Sequence, residues 1–159
     1  MSIEVRINQS FDFAKLSRRL LQLAGATLSV IGWQYVKETQ KSIERRRLFK
    51  SRTGNLFQSI QALPESETRI VIFGAGKDSH LEYGKFLEFG TEGPYVIRPK
   101  ERKALSIPTS KGFIFRKKVT HPGIRARHYF FGDYEEKMKT AIEVGKIFFY
   151  NRLKEEFND

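Results

Sequence analysis

"EYGKFLEFGTEGP" (Glu82–Pro94) organises the reading of everything around it. Ser79 and Glu82 are spaced as a capping box, so a helix starts here. Tyr83, Phe86 and Leu87 share one face of it, and it runs to Phe89. Gly90 supplies the left-handed residue that stops a helix. Glu88 then falls in the last turn, where the macrodipole disfavours a carboxylate by about 0.3–1 kcal/mol. A basic group offsets that cost, and the expected partner is Arg125 or Arg127 in "HPGIRAR" downstream. The stretch reads as a capped helix and a proline-bounded loop, with Glu88 as a structural anchor.

Upstream, "TRIVIFG" (Thr68–Gly74) is a β-branched apolar run, expected to form a central strand buried on both faces. "GAGKDS" follows as a turn; Gly74 and Gly76 precede Lys77 and Ser79, but the spacing of a Walker loop is absent. In "RTGNLFQSIQAL", Thr53 or Asn55 caps a short helix with Leu56, Phe57 and Ile60 on one side, and Pro64 ends it. From Phe13 to about Arg47 there is no proline, and Leu16, Leu20, Leu23, Leu28, Ile31 and Tyr35 recur at helical steps. A helix of about 30 residues spans roughly 45 Å. It has to lean on its own sheet and a second helix, or on a neighbouring subunit. Gly25 and Gly32 mark a bend or a close contact. Ser10 or Asp12 caps this helix, after an alternating "SIEVRIN" strand.

Downstream of the opening stretch, "TEGPYVIRPKERK" reads as a proline-punctuated loop. "ALSI" and "GFIFRKKV" pair as a hairpin across "PTSKG". "THPGIRARHYF" is a rigid connector turning at Pro122-Gly123. A last helix is expected from about Tyr129 to Phe157, with Tyr134, Met138, Ala141, Ile142, Gly145, Phe148 and Phe149 as its apolar stripe. The order is β-α-α-β-α-β-β-α. It predicts one α+β domain over residues 1–159: a small, mostly antiparallel sheet packed with a long N-terminal helix, a short central helix and a long C-terminal helix.

Composition narrows the function classes. Forty per cent of the residues are apolar and 13% aromatic, a globular balance. The chain contains no cysteine, which excludes disulfides and thiolate metal sites. No apolar run reaches the length of a membrane span, and "MSIEVRINQS" lacks an apolar signal core, so synthesis in the cytosol is expected. Twenty-nine Lys and Arg against 18 Asp and Glu give +11, which asks for a polyanionic partner or acidic neighbours.

No catalytic, cofactor or metal set assembles from the residues. His121 and His128 stand seven apart across a Pro-Gly turn, not a usual ligand spacing, and His80 sits at a helix start. Glu82 and Glu88 fall on different helix faces. No GxSxG is present. The expectation is a protein that is not an enzyme. Basic clusters offer more. Arg45, Arg46, Arg47, Lys50 and Arg52 lie in "ERRRLFKSR", at a helix end or exposed loop. Arg98–Lys103 forms a second cluster; a third runs from Arg116, Lys117 and Lys118 to Arg125 and Arg127. Phe49, Tyr95, Phe115 and Tyr129 are interleaved, so a basic nucleic-acid-binding module is the alternative reading. No zinc finger, RNP motif or helix-turn-helix is visible.

Four segments in order, "RTGNLFQSI", "YGKFLEFGT", "ERKALSIP…GFIF" and "KKVTHPGIRARHYF", resemble the tail-completion or head–tail joining proteins of tailed phages and prophages. These are also labelled minor tail or morphogenesis proteins. The match spans about Thr53 to the end. Thr53, Gly54, Leu56 and Ser59 hold motif positions in the first segment. Tyr83, Glu88, Phe89, Gly90 and Thr91 hold them in the second, and His121, Pro122 and Gly123 in the last. Gly84 stands where the family usually has Ala, and His128 where proline is common. The resemblance implies a structural virion part at the neck, made in the bacterial host cytoplasm, with no cofactor and no membrane. It implies an oligomeric ring, often a hexamer, between the connector and the tail terminator or tail tube, with DNA passing through the channel.

Overall fold

The long helix is present. In the computed structural model, which describes residues 12–49, 54–75 and 83–157, α1 runs Phe13–Arg46. Asp12 caps it: its Oδ1 accepts the Lys15 N–H at 3.0 Å. Arg47 takes a positive φ of 48°, and the Leu48 N–H turns back to the Ile43 carbonyl at 3.2 Å. An arginine in the left-handed region thus closes the helix where glycine is commoner. The buried positions on α1 are Gly32, Tyr35, Val36, Thr39, Ser42 and Ile43, a run of three- and four-residue steps.

The remaining elements are α2 (Asn55–Ser59), β1 (Gln61–Ser66), β2 (Arg69–Phe73), α3 (Tyr83–Phe89), β3 (Tyr95–Ile97), β4 (Leu105–Thr109), β5 (Gly112–Arg116), β6 (Val119–His121) and α4 (Tyr134–Phe157). The class is α+β, with antiparallel strands, a long N-terminal helix, a short central helix and a long C-terminal helix. The strands form three two-stranded ribbons, β1-β2, β3-β6 and β4-β5.

The chain divides into two compact units. The first holds the chain up to Glu38, Gln61–Ile72 and the chain from Glu135; the second holds Thr39–Ile60 and Phe73–Tyr134. In the first unit, glycines set how closely elements approach. A Cβ on Gly32 would collide with Ile70 and stand 3.0 Å from the Ala62 Cβ, so the β1-β2 ribbon lies directly on α1. A Cβ on Gly145 of α4 would collide with Ile31 of α1. Both helices therefore give up a side chain where a neighbour needs the room. Lys137, also buried, sets its ammonium 5.7 Å from the Tyr35 ring centroid.

In the second unit, β3 and β6 pair antiparallel with Tyr95 opposite His121 and Ile97 opposite Val119. The β4-β5 hairpin is threaded between them in sequence and closes with Thr109 opposite Gly112. The hairpin is where the sequence predicts it.

Four expectations are corrected. The α2 helix stops at Ser59, and Pro64 lies inside β1: a two-stranded ribbon is all edge, where a proline's missing N–H costs no ladder bond. The run at β2 is half-buried and, among the described residues, pairs only with β1, so it is not a central strand buried on both faces. Tyr95–Ile97 and Val119–His121 are paired strands, not loop and connector. The last helix begins at Tyr134 rather than Tyr129, because residues 129–133 form turns that end on Asp133 at φ 54°. The "SIEVRIN" strand, the "GKDS" part of the turn and the Ser79–Glu82 capping box lie outside the described residues.

Candidate functional site

Two of the segments that carry the motif residues, residues 83–91 and 121–131, meet in the second unit around the C-terminal end of α3. Gly90 has φ 78° and gives its N–H to the Phe86 carbonyl at 2.9 Å, the expected helix stop. The next two carbonyls are satisfied from the "HPGIRARHYF" segment. The Arg127 N–H donates to Leu87 O at 2.7 Å, and the His128 N–H to Glu88 O at 3.2 Å. A Cβ on Gly90 would stand 2.8 Å from Ile124 O and 2.9 Å from Ala126 N, so only glycine lets this segment come so close.

Thr91 locks the same junction twice. Its N–H donates to Ile124 O at 2.9 Å, and its hydroxyl oxygen accepts the Ile124 N–H at 2.8 Å. Gly93 lies against Pro122 and Gly123, ahead of a cis Gly93-Pro94 bond. His121 stacks on Tyr95 with ring centroids 5.0 Å apart, and its Nδ1 accepts the Gly123 N–H at 3.1 Å. That hydrogen bond ties the histidine to the turn in which Gly123 takes φ 89°.

Glu88 is 3% exposed. Its partners are not the arginines expected from the sequence, and it makes no ion pair with Arg125 or Arg127. One carboxylate oxygen accepts the Phe130 N–H at 2.8 Å and the other accepts the Phe131 N–H at 3.1 Å. These are the first amides of a turn closed by the Gly132 N–H on His128 O at 2.9 Å. Glu88 thus caps a turn as an Asp caps a helix, and two charge-assisted bonds outweigh its unfavourable place in the α3 dipole. Arg125 and Arg127 are exposed instead. A guanidinium gains little by leaving water when backbone donors already fill the carboxylate.

The other motif positions lie in α2 and along α3. Leu56 is buried, and the Ser59 hydroxyl donates to Leu56 O at 2.7 Å. Gly54 has φ 78° at the start of α2. A Cβ on Gly84 would stand 2.6 Å from the Ala75 Cβ, 3.0 Å from the Tyr129 hydroxyl and 3.2 Å from Leu56 Cδ1, which explains glycine here where the family pattern has alanine. Tyr83 and Phe89 are exposed, Phe89 lying 6.2 Å from the Phe131 ring. Thr53 lies outside the described residues.

Tyr129, one of the rings offered for base stacking, is 2% exposed and donates its hydroxyl to Gly74 O at 2.8 Å. Burial raises its phenol above the usual value, and the charge of Glu88, then Tyr83, adds to the rise. Phe49 packs edge-on against it at 5.5 Å. Phe115 alone of the four is well exposed and without a ring partner among the described residues. The sequence singles out Tyr129 only as an aromatic; its bond to a carbonyl 55 residues away leaves no local signal.

Of the basic residues, Arg45 and Arg47 are exposed, and Arg46 pairs with Asp133. Arg116, Lys117 and Lys118 are exposed at the foot of the hairpin. Lys50 and Arg52 lie outside the described residues. Among the described residues no cluster of three His, Asp or Glu is placed to hold a metal ion, and no helix is long and apolar enough to cross a membrane. Comparison of the chain with protein-family models, curated proteins and solved structures finds no match.

Proposed function

We propose that this chain is a structural subunit of a tailed-phage or prophage virion, joining head to tail at the neck as part of a ring around the DNA channel. One observation carries the reading. Two of the segments that resemble the joining-protein family, "YGKFLEFGT" and "KKVTHPGIRARHYF", far apart in sequence, meet in one backbone-bonded joint around Glu88, Gly90 and Thr91, and Leu56 of a third lies beside Gly84 of α3. The polar groups of that joint are committed to holding chain against chain. Both carboxylate oxygens of Glu88, the Thr91 hydroxyl and the His121 Nδ1 are spent on backbone amides.

The surface supports an assembling subunit. Phe13, Leu20, Leu21 and Trp33 on α1 are exposed, as are Ile147 and Tyr150 on α4. Exposed apolar residues on long helices suit contacts between neighbouring subunits, with the connector, tail terminator or tail tube as further partners. The protein is made in the host cytoplasm and works in the virion.

Deletion of the gene from its phage tests the reading by electron microscopy of the lysate. Filled heads and separate tails are expected, restored to joined particles by the wild-type gene. Deletion particles that keep their tails attached would refute it.

A further inference from the structure

The β4-β5 hairpin has two unlike faces. Paired residues share a face, so Leu105, Ile107, Thr109, Ile114 and Arg116 lie on one side, and Ser106, Pro108, Phe113 and Phe115 on the other. Leu105 and Ile107 are half-buried on the first side. The second side is bare: all four residues are exposed, and Phe113 and Phe115 are each 67% exposed. A five-residue ribbon is marginal on its own. Two phenylalanines left in water on one face of it mark a docking surface.

The surrounding charge says what docks there. Between Arg98 and Lys118 the sequence carries eight Lys and Arg against one Glu. Five of the eight are lysines, at 100, 103, 111, 117 and 118. Lysine is depleted from protein–protein interfaces, whereas it is a favoured partner of phosphate oxygens. Alternate residues put the two rings about 7 Å apart on one strand. Flat rings in a row beside lysines are how sheets bind unpaired bases: each ring takes a base and the cations track the backbone. The order Lys111-Gly112-Phe113-Ile114-Phe115 has the basic residue, the glycine and two of the three aromatics of the base-stacking strand of RNA-recognition domains, but Ile114, Arg116 and Lys118 depart from it, so the full motif is absent.

We propose that this bare face of the hairpin binds single-stranded nucleic acid, with Phe113 and Phe115 stacking on bases and the flanking Lys111, Lys117 and Lys118 on the phosphates. The proposal is independent of the neck reading.

Fluorescence anisotropy of labelled dT20 with the full chain tests it. Binding is expected at low salt, with log K falling linearly in log salt. Phe113→Ala with Phe115→Ala should weaken it at least about tenfold with the salt slope kept. Lys117→Gln with Lys118→Gln should lower the slope by about 1.4. A leucine pair at the two positions keeps apolar bulk without a π-face and should behave as the alanine pair; a tyrosine pair, which keeps the rings, should retain binding. That contrast also separates stacking from misfolding. Four results would each overturn the proposal: no binding at low salt, binding indifferent to the alanine pair, full binding by the leucine pair, or displacement by polyglutamate of equal charge, which would assign the face to an acidic protein. Duplex bound as tightly as dT20 would also overturn it.

Discussion

The end of α3 and the β4-β5 hairpin belong to the same compact unit and use their residues in opposite ways. At α3 nearly every polar group is bonded to backbone, and buried Glu88 sits between two amides. On the hairpin, five consecutive residues of β5 are exposed, two of them phenylalanines. The first region is held by direction-dependent bonds that tolerate little change. The second is held by its own ladder and half-covered on one face, so its outer residues are free to serve a partner. A bonded joint and an exposed ribbon are thus separated along the chain by a few residues.

The contrast can be broken by mutation. Glu88→Ala strips two part-buried amides of their acceptor and should cost about 2–4 kcal/mol, read from urea unfolding. Gly90→Ala forces a Cβ into the left-handed region and against the Ile124 carbonyl, for about 2–3 kcal/mol in the same assay. A Gly84→Ala chain should lose about 1–3 kcal/mol by overpacking against Ala75; a gain instead would mean that the joint can expand.

Tyr129→Phe sharpens the comparison through pH. It removes one hydrogen bond, worth about 1 kcal/mol at neutral pH. The folded-state phenol is raised above the unfolded value of about 10, so its stabilising contribution is complete below pH 10 and is lost as pH climbs through the folded value. Alkaline unfolding curves of the Phe variant should lack that share of the fall. Smallest of all, Phe113→Ala and Phe115→Ala should each move stability by less than about 0.5 kcal/mol, seen as an almost unchanged thermal midpoint.

What the sequence reveals follows the range of the forces. The length of α1, the Gly90 stop and the β4-β5 hairpin are set by signals within a few residues, and all are legible. The pairing of β3 with β6 is not. Three-residue strands carry no periodicity, and prolines at 94, 99 and 122 disguise both as loop. Pro64 misleads for a related reason: it stops helices, yet an edge strand accepts it. Glu88 was legible as an anchor but not its partners. Charge in a sequence points to other charges, whereas amide donors exist at almost every residue and bear no mark. The start of α4 is later than the sequence suggests because residues 129–133 close as a turn, with the Gly132 N–H on His128 O and Asp133 at φ 54°.

The β3-β6 pairing also defines a cassette. Ile97 and Val119 face each other across the ribbon, so the 21 residues between them leave and return at neighbouring points. Insertion, shortening or exchange of that segment need not disturb the junction at Gly90. A lineage could therefore rewrite what the hairpin touches while keeping the joint, and an engineer could graft a different loop onto the same two residues.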